Sequence, residues 1–269
     1  MKRYLKYIIM GIVAVTLYTL FFPGKDKEKG KPRDYQTIVE SGILRAVTEY
    51  NSISYFADGD TVSGFHYELL NAFARSKGLT PEIIPEMSFE KRQEGILTGK
   101  YDILANSTIV TSESKDSLLF THPILLNKQV LVQRKPELEN DSMYIHSQLE
   151  LARKTLHVVK GSPVLLRIHN LSNEIGDTIY IQEVEKYGPE QLLAMVAHGD
   201  YTVCDESIAQ ASINDFPQLD IKTAISFTQF YSWGVSKHSP ILLDSLNAWL
   251  DTYTLTPEFR ELQKKYYNK

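Results

Sequence analysis

Cysteine is almost missing from this 269-residue chain: Cys204 stands alone, so no intramolecular disulfide is available. A single cysteine inside an apolar run reads as a buried, inert side chain. The seven histidines fall in no His-Glu-x-x-His pattern, and no Cys-x-x-Cys occurs, which removes the common zinc motifs. There is no P-loop and no Gly-x-Gly-x-x-Gly, so neither familiar phosphate cradle is present. Basic excess is lacking too. Lys and Arg number 29 against 33 Asp and Glu, for a net charge of −4, and a nucleic-acid binder normally shows the reverse. What remains is an ordinary globular balance, 43% hydrophobic and 23% charged. The length suffices for one large domain or two small lobes with real cores.

One long apolar run exists, at the start. Lys2, Arg3 and Lys6 precede an uncharged apolar stretch over 7–22, the layout of a signal sequence. No small-x-small cleavage site precedes Pro23, and no cysteine offers a lipid anchor. The expectation is an uncleaved anchor helix over 1–23, somewhat short against the roughly 20 residues of a bilayer core, with a cleaved signal peptide as the alternative. Residues 24–34, rich in Lys and carrying Gly24, Gly30 and Pro32, form a flexible charged linker. Its positive charge, read by the positive-inside rule alone, places the downstream residues in the cytoplasm.

From Ser41 the pattern changes to strand, helix, strand, helix, strand, the mark of parallel βαβ units. The strands are predicted at 43–47, 82–84 and 101–105. A helix over 64–74 carries Leu69, Leu70, Phe73 and Ala74 on one face and closes at Gly78. A second runs over 89–97 and closes at Gly99. The alternating run 126–135 reads as a strand leaving this first unit. A second unit then repeats the plan: a strand at 156–160, a helix opening at Gly161-Ser162-Pro163, a strand over 178–184, a helix over 189–198 and a strand over 199–205. A strand over 219–225, a return crossing over 227–235 and two closing helices complete the chain. Ligands of open α/β sheets sit at the carboxyl ends of the strands. That rule points to the turn 48–54, to Phe89, to 106–108 and to Asp205.

The pieces Gly42-Ile43-Leu44-Arg45, Gly64-Phe65 with Tyr67-Glu68-Leu69 and Phe73-Ala74, and Gly99-Lys100-Tyr101-Asp102 carry a resemblance. Together with the ending Trp249-Leu250 … Tyr266-Tyr267, they resemble the extracellular solute-binding proteins of family 3, the amino-acid-binding type, from residue 34 onward. The turn 48–55, ending Ser54-Tyr55, is similar to one branch, the non-catalytic N-terminal domain of membrane-bound lytic transglycosylase F. The resemblance implies an α/β, two-lobed, periplasmic-binding-protein-like (type II) fold with two hinge crossings behind the N-terminal helix. Lobe 1 is expected over 35–128 and 229–269, and lobe 2 over 129–228.

It also implies a ligand between the lobes. Asp205 matches the family's acidic partner of the ligand ammonium, and Phe89 its stacking aromatic. Asn106, Ser107, Thr108, Gly161 and Ser162 are expected to hold a polar or anionic group, with Thr48, Tyr50 and Tyr55 at the cleft. Each residue also has an ordinary structural reading. Asp205 suits a helix N-cap, Phe89 a hydrophobic staple, and 106–108 a turn. One of Tyr50 and Tyr55 is expected in the cleft and the other packed. His66, His122 and His198 are expected on helix or loop surfaces, with no triad. The chain departs from the family's Thr-x-x-Arg carboxylate clamp: Thr111 is present, but Ser114 occupies the arginine position, with Lys115 beside it. Pro163 likewise replaces a threonine donor.

The expected function is a non-catalytic, cofactor-free module that closes on a small amino-acid-like, peptide-like or cell-wall-derived ligand. It would serve transport or sensing on the periplasmic side of the bacterial inner membrane, beside a transporter or a cell-wall enzyme. The alternatives are a regulatory relative of a lytic transglycosylase, an enzyme of the same fold, and a structural envelope protein. No lysozyme-like sequence follows within these residues, and no acid/base pair stands out. A polar, open cleft favours binding, and an apolar, filled one favours structure.

Overall fold

A computed structural model describes residues 30–138, 141–185, 188–196 and 199–267. The anchor expected over 1–23, most of the linker and His198 lie outside the described residues. The first element, α1 (Tyr35–Ser41), starts at Asp34, whose carboxylate accepts the Tyr35 N–H, and stops at Gly42 in a left-handed conformation. Next come β1 (Ile43–Thr48) and a hairpin of β2 (Phe56–Asp58) and β3 (Thr61–Ser63). The hairpin is not among the expected elements, although Asp58-Gly59 is a recognisable turn signal. Then follow α2 (Phe65–Ser76), β4 (Thr80–Pro85), α3 (Phe89–Leu97) and β5 (Ile103–Ile109). Ser88 caps α3 by accepting the Lys91 N–H. A short α4 (Ser112–Ser117) leads to β6 (Leu118–Phe120), β7 (Leu125–Asn127) and β8 (Gln129–Arg134).

The rest repeats the plan. It runs through β9 (Thr155–Val159), α5 (Val164–Ile175), β10 (Tyr180–Val184), α6 (Pro189–Val196), β11 (Tyr201–Asp205) and α7 (Glu206–Ser212). After β12 (Leu219–Asp220) and β13 (Gln229–Ser236) come α8 (Pro240–Tyr253) and α9 (Pro257–Tyr267). The strand expected over 219–225 shrinks to two residues, because the Asp220 carboxylate turns back to accept the Lys222 N–H and breaks the ladder.

Two sheets result. The first has the order β4-β1-β5-β13-β6, with β7 also on β13, and the second the order β10-β9-β11-β8-β12. Each holds three parallel strands, joined on one side by an antiparallel strand from a crossing segment, β13 in the first and β8 in the second. The chain passes from the first sheet to the second between Asn127 and Gln129, and returns between β12 and β13. Each sheet has its own core. Leu44, Phe65, Phe73, Trp233 and Leu246 are fully buried under the first, and Leu131, Val158 and Ile168 under the second. Burial of side chains of this size is worth about 1.5–3 kcal/mol each.

The point where the chain enters is fastened to the first lobe. The Arg33 guanidinium donates to both oxygens of buried Asp102, at 3.0 and 2.5 Å, and Asp102 also accepts the Arg45 N–H. Ser239 donates to the Arg33 carbonyl, and the Asp34 carboxylate accepts the Leu242 N–H.

One expectation is corrected. His66 is not on a surface but 1% exposed in the first core. Its Nδ1 accepts the Trp233 indole N–H at 3.0 Å, and its Nε2 lies 3.3 Å from Ser107 Oγ. Burial without a charged partner pulls its pKa down to about 3, so it is neutral at physiological pH.

Candidate functional site

The carboxyl ends of β1, β5, β9 and β11 face one another between the two sheets. They enclose a cleft with about 620 Å³ of empty space, including the part open to solvent. Glu49, Asn106, Ser107, Phe89 and Arg92 line it from the first lobe, and Ser162, Pro163 and Asp205 from the second. An adjoining outer chamber of about 900 Å³ shares Phe89, Ile109, Ser162 and Pro163 and continues past Thr108, Thr111, Ser114 and Gly161. Sizes of this order suit small ligands. The lobes touch across the opening: the Ser52 N–H donates to Glu190 Oε1 at 2.8 Å.

Asp205 ends β11 at the base of the cleft. It occupies the N-cap position of α7, but its side chain makes no capping bond. Instead it accepts the Tyr231 hydroxyl at 2.7 Å, from the returning strand β13. Burial raises its pKa to about 7; the Tyr231 hydrogen bond opposes the rise, and the nearby Glu49 carboxylate adds to it. Across the β8–β11 ladder Asp205 stands directly opposite Gln129. Gln129 is 1% exposed, lines the same cleft, and has a side-chain oxygen with no hydrogen-bond partner.

Arg92 lies one helical turn beyond Phe89, on the same face of α3. It is 4% exposed, and its guanidinium sits 5.8 Å from the Phe89 ring centre. Its Nη1 donates to the carbonyls of Glu86, at 2.6 Å, and Met87, at 3.0 Å. Its Nη2 stands 3.8 Å from Glu49 Oε2. Glu49, Arg92 and Gln129 are site residues that the sequence reading missed. Glu49 falls within the turn singled out after β1, and the spacing from Phe89 points to Arg92. Gln129 is legible only once the register is known.

Among the sequence candidates, Phe89, Asn106, Ser107, Ser162 and Asp205 meet in the inner cleft, and Thr108 and Gly161 in the outer chamber. Thr48 is fully buried, and its hydroxyl donates to the Ala105 carbonyl at 2.6 Å, tying β1 to β5 beneath the cleft. Tyr50 and Tyr55 do not line either chamber. Tyr50 is 41% exposed, its ring 6.3 Å from Tyr55, which meets Tyr67 edge-on at 5.5 Å.

Three of the donors expected to hold an anion, the Gly161 and Ser162 N–H groups and the Thr108 hydroxyl, are already engaged. The Gly161 N–H donates to Glu183 at 3.0 Å, and the Ser162 N–H to the Val159 carbonyl at 3.1 Å. The Asn106 side-chain oxygen accepts from Thr108, at 2.9 Å. Ser114 closes a reciprocal capping box with Thr111 at the start of α4. Lys115 is exposed and lines neither chamber. Cys204 is buried, and burial pushes its thiol pKa far up, so no thiolate nucleophile is offered. Among the described residues no group of three or more His, Cys, Asp or Glu could hold a metal ion.

Comparison with known proteins agrees with this architecture. A sequence profile of the bacterial extracellular solute-binding proteins, family 3, matches residues 44–269. A membrane-bound lytic murein transglycosylase F of Pseudomonas fluorescens is 26% identical over 241 residues, covering 88% of this chain and 48% of that protein. One from Desulfosudis oleivorans is 27% identical over 234 residues, covering 86% and 50%. The chain therefore spans about half the length of the curated relatives it matches. Among solved structures, an ancestral arginine-binding protein bound to arginine superposes with a TM-score of 0.73 at 24% identity, covering 84% of this chain and 98% of that one. A mutant of the arginine-binding protein of T. maritima gives 0.73 at 22% identity, covering 87% and 99%. These likenesses establish the α/β periplasmic-binding-protein-like fold.

Proposed function

The chain belongs to the bacterial extracellular solute-binding proteins, family 3, and from that premise we propose that it is a non-catalytic binding module that closes its two lobes on a small ligand with a cationic group. The lobes are 35–128 with 229–269, and 129–228. Asp205 carries the reading: a carboxylate at a strand end, lining an interlobe cleft and, among the described residues, served by one hydrogen bond. An ammonium or guanidinium there would gain a charge-assisted bond and relieve the cost of an ionised, half-buried Asp205. Phe89 offers a flat face, and Asn106 and Ser107 offer polar groups. Contacts from both lobes would stabilise the closed state.

The ligand is amino-acid-like, peptide-like or cell-wall-derived, in keeping with the arginine-bound neighbour and the transglycosylase relatives. The module works on the periplasmic side of the bacterial inner membrane, held by the segment 1–23 or released after its cleavage. It serves a transporter or a sensor there. Among the described residues no helix is long and apolar enough to cross a membrane. A second reading, a regulatory module for a cell-wall lytic enzyme, is favoured by those relatives, which match this chain over half their length.

A thermal-shift screen of the purified protein against amino acids, short peptides and muropeptides tests the proposal. A ligand at a hundred times its Kd adds about 2.7 kcal/mol of stability. The expected result is a hit that Asp205→Ala abolishes. Silence in all three classes, with the protein folded, would refute the binding reading.

A further inference from the structure

Resting on that reading, we propose that the cleft takes a cation-bearing ligand with no free carboxylate: an amine, or an amino acid whose carboxyl group is tied up as an amide, as at the amino end of a peptide. The charges in the cleft set this selection. Among the described residues, Arg92 is the one cationic side chain lining either chamber. Its Nη1 donates to two backbone carbonyls, its Nη2 stands 3.8 Å from Glu49, and its Nε, which has no partner, is buried out of reach of solvent. Against it stand two carboxylates, Glu49 and Asp205, from opposite lobes. A third acceptor, the buried and unpartnered oxygen of Gln129, lies across the ladder from Asp205. Carboxylates facing one chamber from both lobes call for a ligand with donors. A carboxylate entering the same space would meet the Glu49 carboxylate and Asp205, ionised in about half the molecules at pH 7, with Arg92 already bonded within the protein, and burying an unpaired anion is strongly unfavourable.

The other end of the ligand has somewhere to go, and that space is also without charge. The outer chamber continues from Phe89 past Thr108, Thr111, Ser114 and Ser117, side chains that can meet an amide but cannot neutralise an anion. At the helix start beside it the Gly161 and Ser162 N–H groups are already engaged. An amide extending from the cationic head would lie in this chamber between the lobes.

Isothermal titration of the full chain at pH 7 with three analogues tests the inference: L-arginine, L-argininamide and agmatine, which differ in whether a carboxylate is present, amidated or absent. The expected result is that both carboxylate-free analogues bind at least tenfold tighter than L-arginine. Equal or tighter binding of L-arginine overturns the inference and leaves the binding reading intact. Failure of all three on folded protein also overturns it. The binding reading falls only if the peptides and muropeptides of its own screen are silent too. Ser114→Arg supplies the missing cation to the outer chamber. It should tighten L-arginine at least tenfold and leave agmatine no tighter. If this variant is folded and L-arginine does not gain, the outer chamber is not where the carboxyl end lies, and the inference fails. If it does not fold, the comparison on the unmodified chain decides alone.

Discussion

Replacing Asp205 with Asn should make the protein more stable and unable to bind. The folded Asp205 has a pKa of about 7 against an ordinary 3.8. The folded state therefore keeps a proton that the unfolded chain has released between those values. Stability from this group is fully present below about pH 4 and is lost as pH rises toward 7. The difference is about 3 pH units, or about 4 kcal/mol at 1.36 kcal/mol each. Because the side chain is only half-buried against an open cleft, water retained there lowers the expected figure to about 2–4 kcal/mol. Asn has the same shape and can still accept the Tyr231 hydroxyl, but it carries no charge. Its advantage over the unmodified protein should grow from near zero at pH 4 to the full value above pH 7. In a chain of this size that is roughly 4–8 °C in Tm. Thermal melts of both proteins from pH 4 to 8.5 measure it, and the difference between them cancels every other titrating group. A gap that does not change with pH, or a variant less stable at pH 8, would refute the reasoning. The same variant should lose ligand-induced stabilisation, so function and stability would part at one atom.

Two other outcomes are set by the same geometry. His66, fully buried with a pKa of about 3 against 6.5, binds its proton only in the unfolded chain, so stability falls as pH drops below 6.5. The loss approaches about 5 kcal/mol at pH 3; urea titrations at pH 4 and 7 should show it, and His66→Gln should flatten the dependence. Glu190→Gln weakens the bond from the Ser52 N–H across the cleft mouth. A charge-assisted bond is worth about 1.5–3 kcal/mol, so ligand dissociation should quicken about tenfold or more while the melting temperature without ligand stays near that of the parent. Stopped-flow release measures the first, and an unchanged rate would show that this contact does not hold the lobes together.

The end of β11 was legible because an apolar run stops there at Asp205, whereas β5 runs on through Asn106, Ser107 and Thr108 to Ile109, so these three belong to the strand and not to the turn expected after it. Thr48 shows where that logic stops. It also ends a strand, but strand alternation turns it inward onto Ala105. His66 was misplaced because its partner, Trp233, is 167 positions away. Gln129 and Arg92 lie in segments whose role depends on register and helix face, and a linear reading does not supply either. Asp205 looked equally suited to capping α7, and only the position of Tyr231 in the folded chain decides between the two roles.

Arg33 and Asp34 are bolted to the first lobe through Asp102, Ser239 and Leu242, and α9 packs onto that lobe as well. The second lobe is thus a loop of chain with both its roots in the first, hung from two crossing segments and braced by α7 against α9. A leash pulling on the entry side would load the first lobe, whereas α9 also touches α7 of the second. On the proposed reading, a tether on the entry side would pull on the first lobe while closure would move the second, so any force of anchoring and any work of closing would enter the molecule at different places.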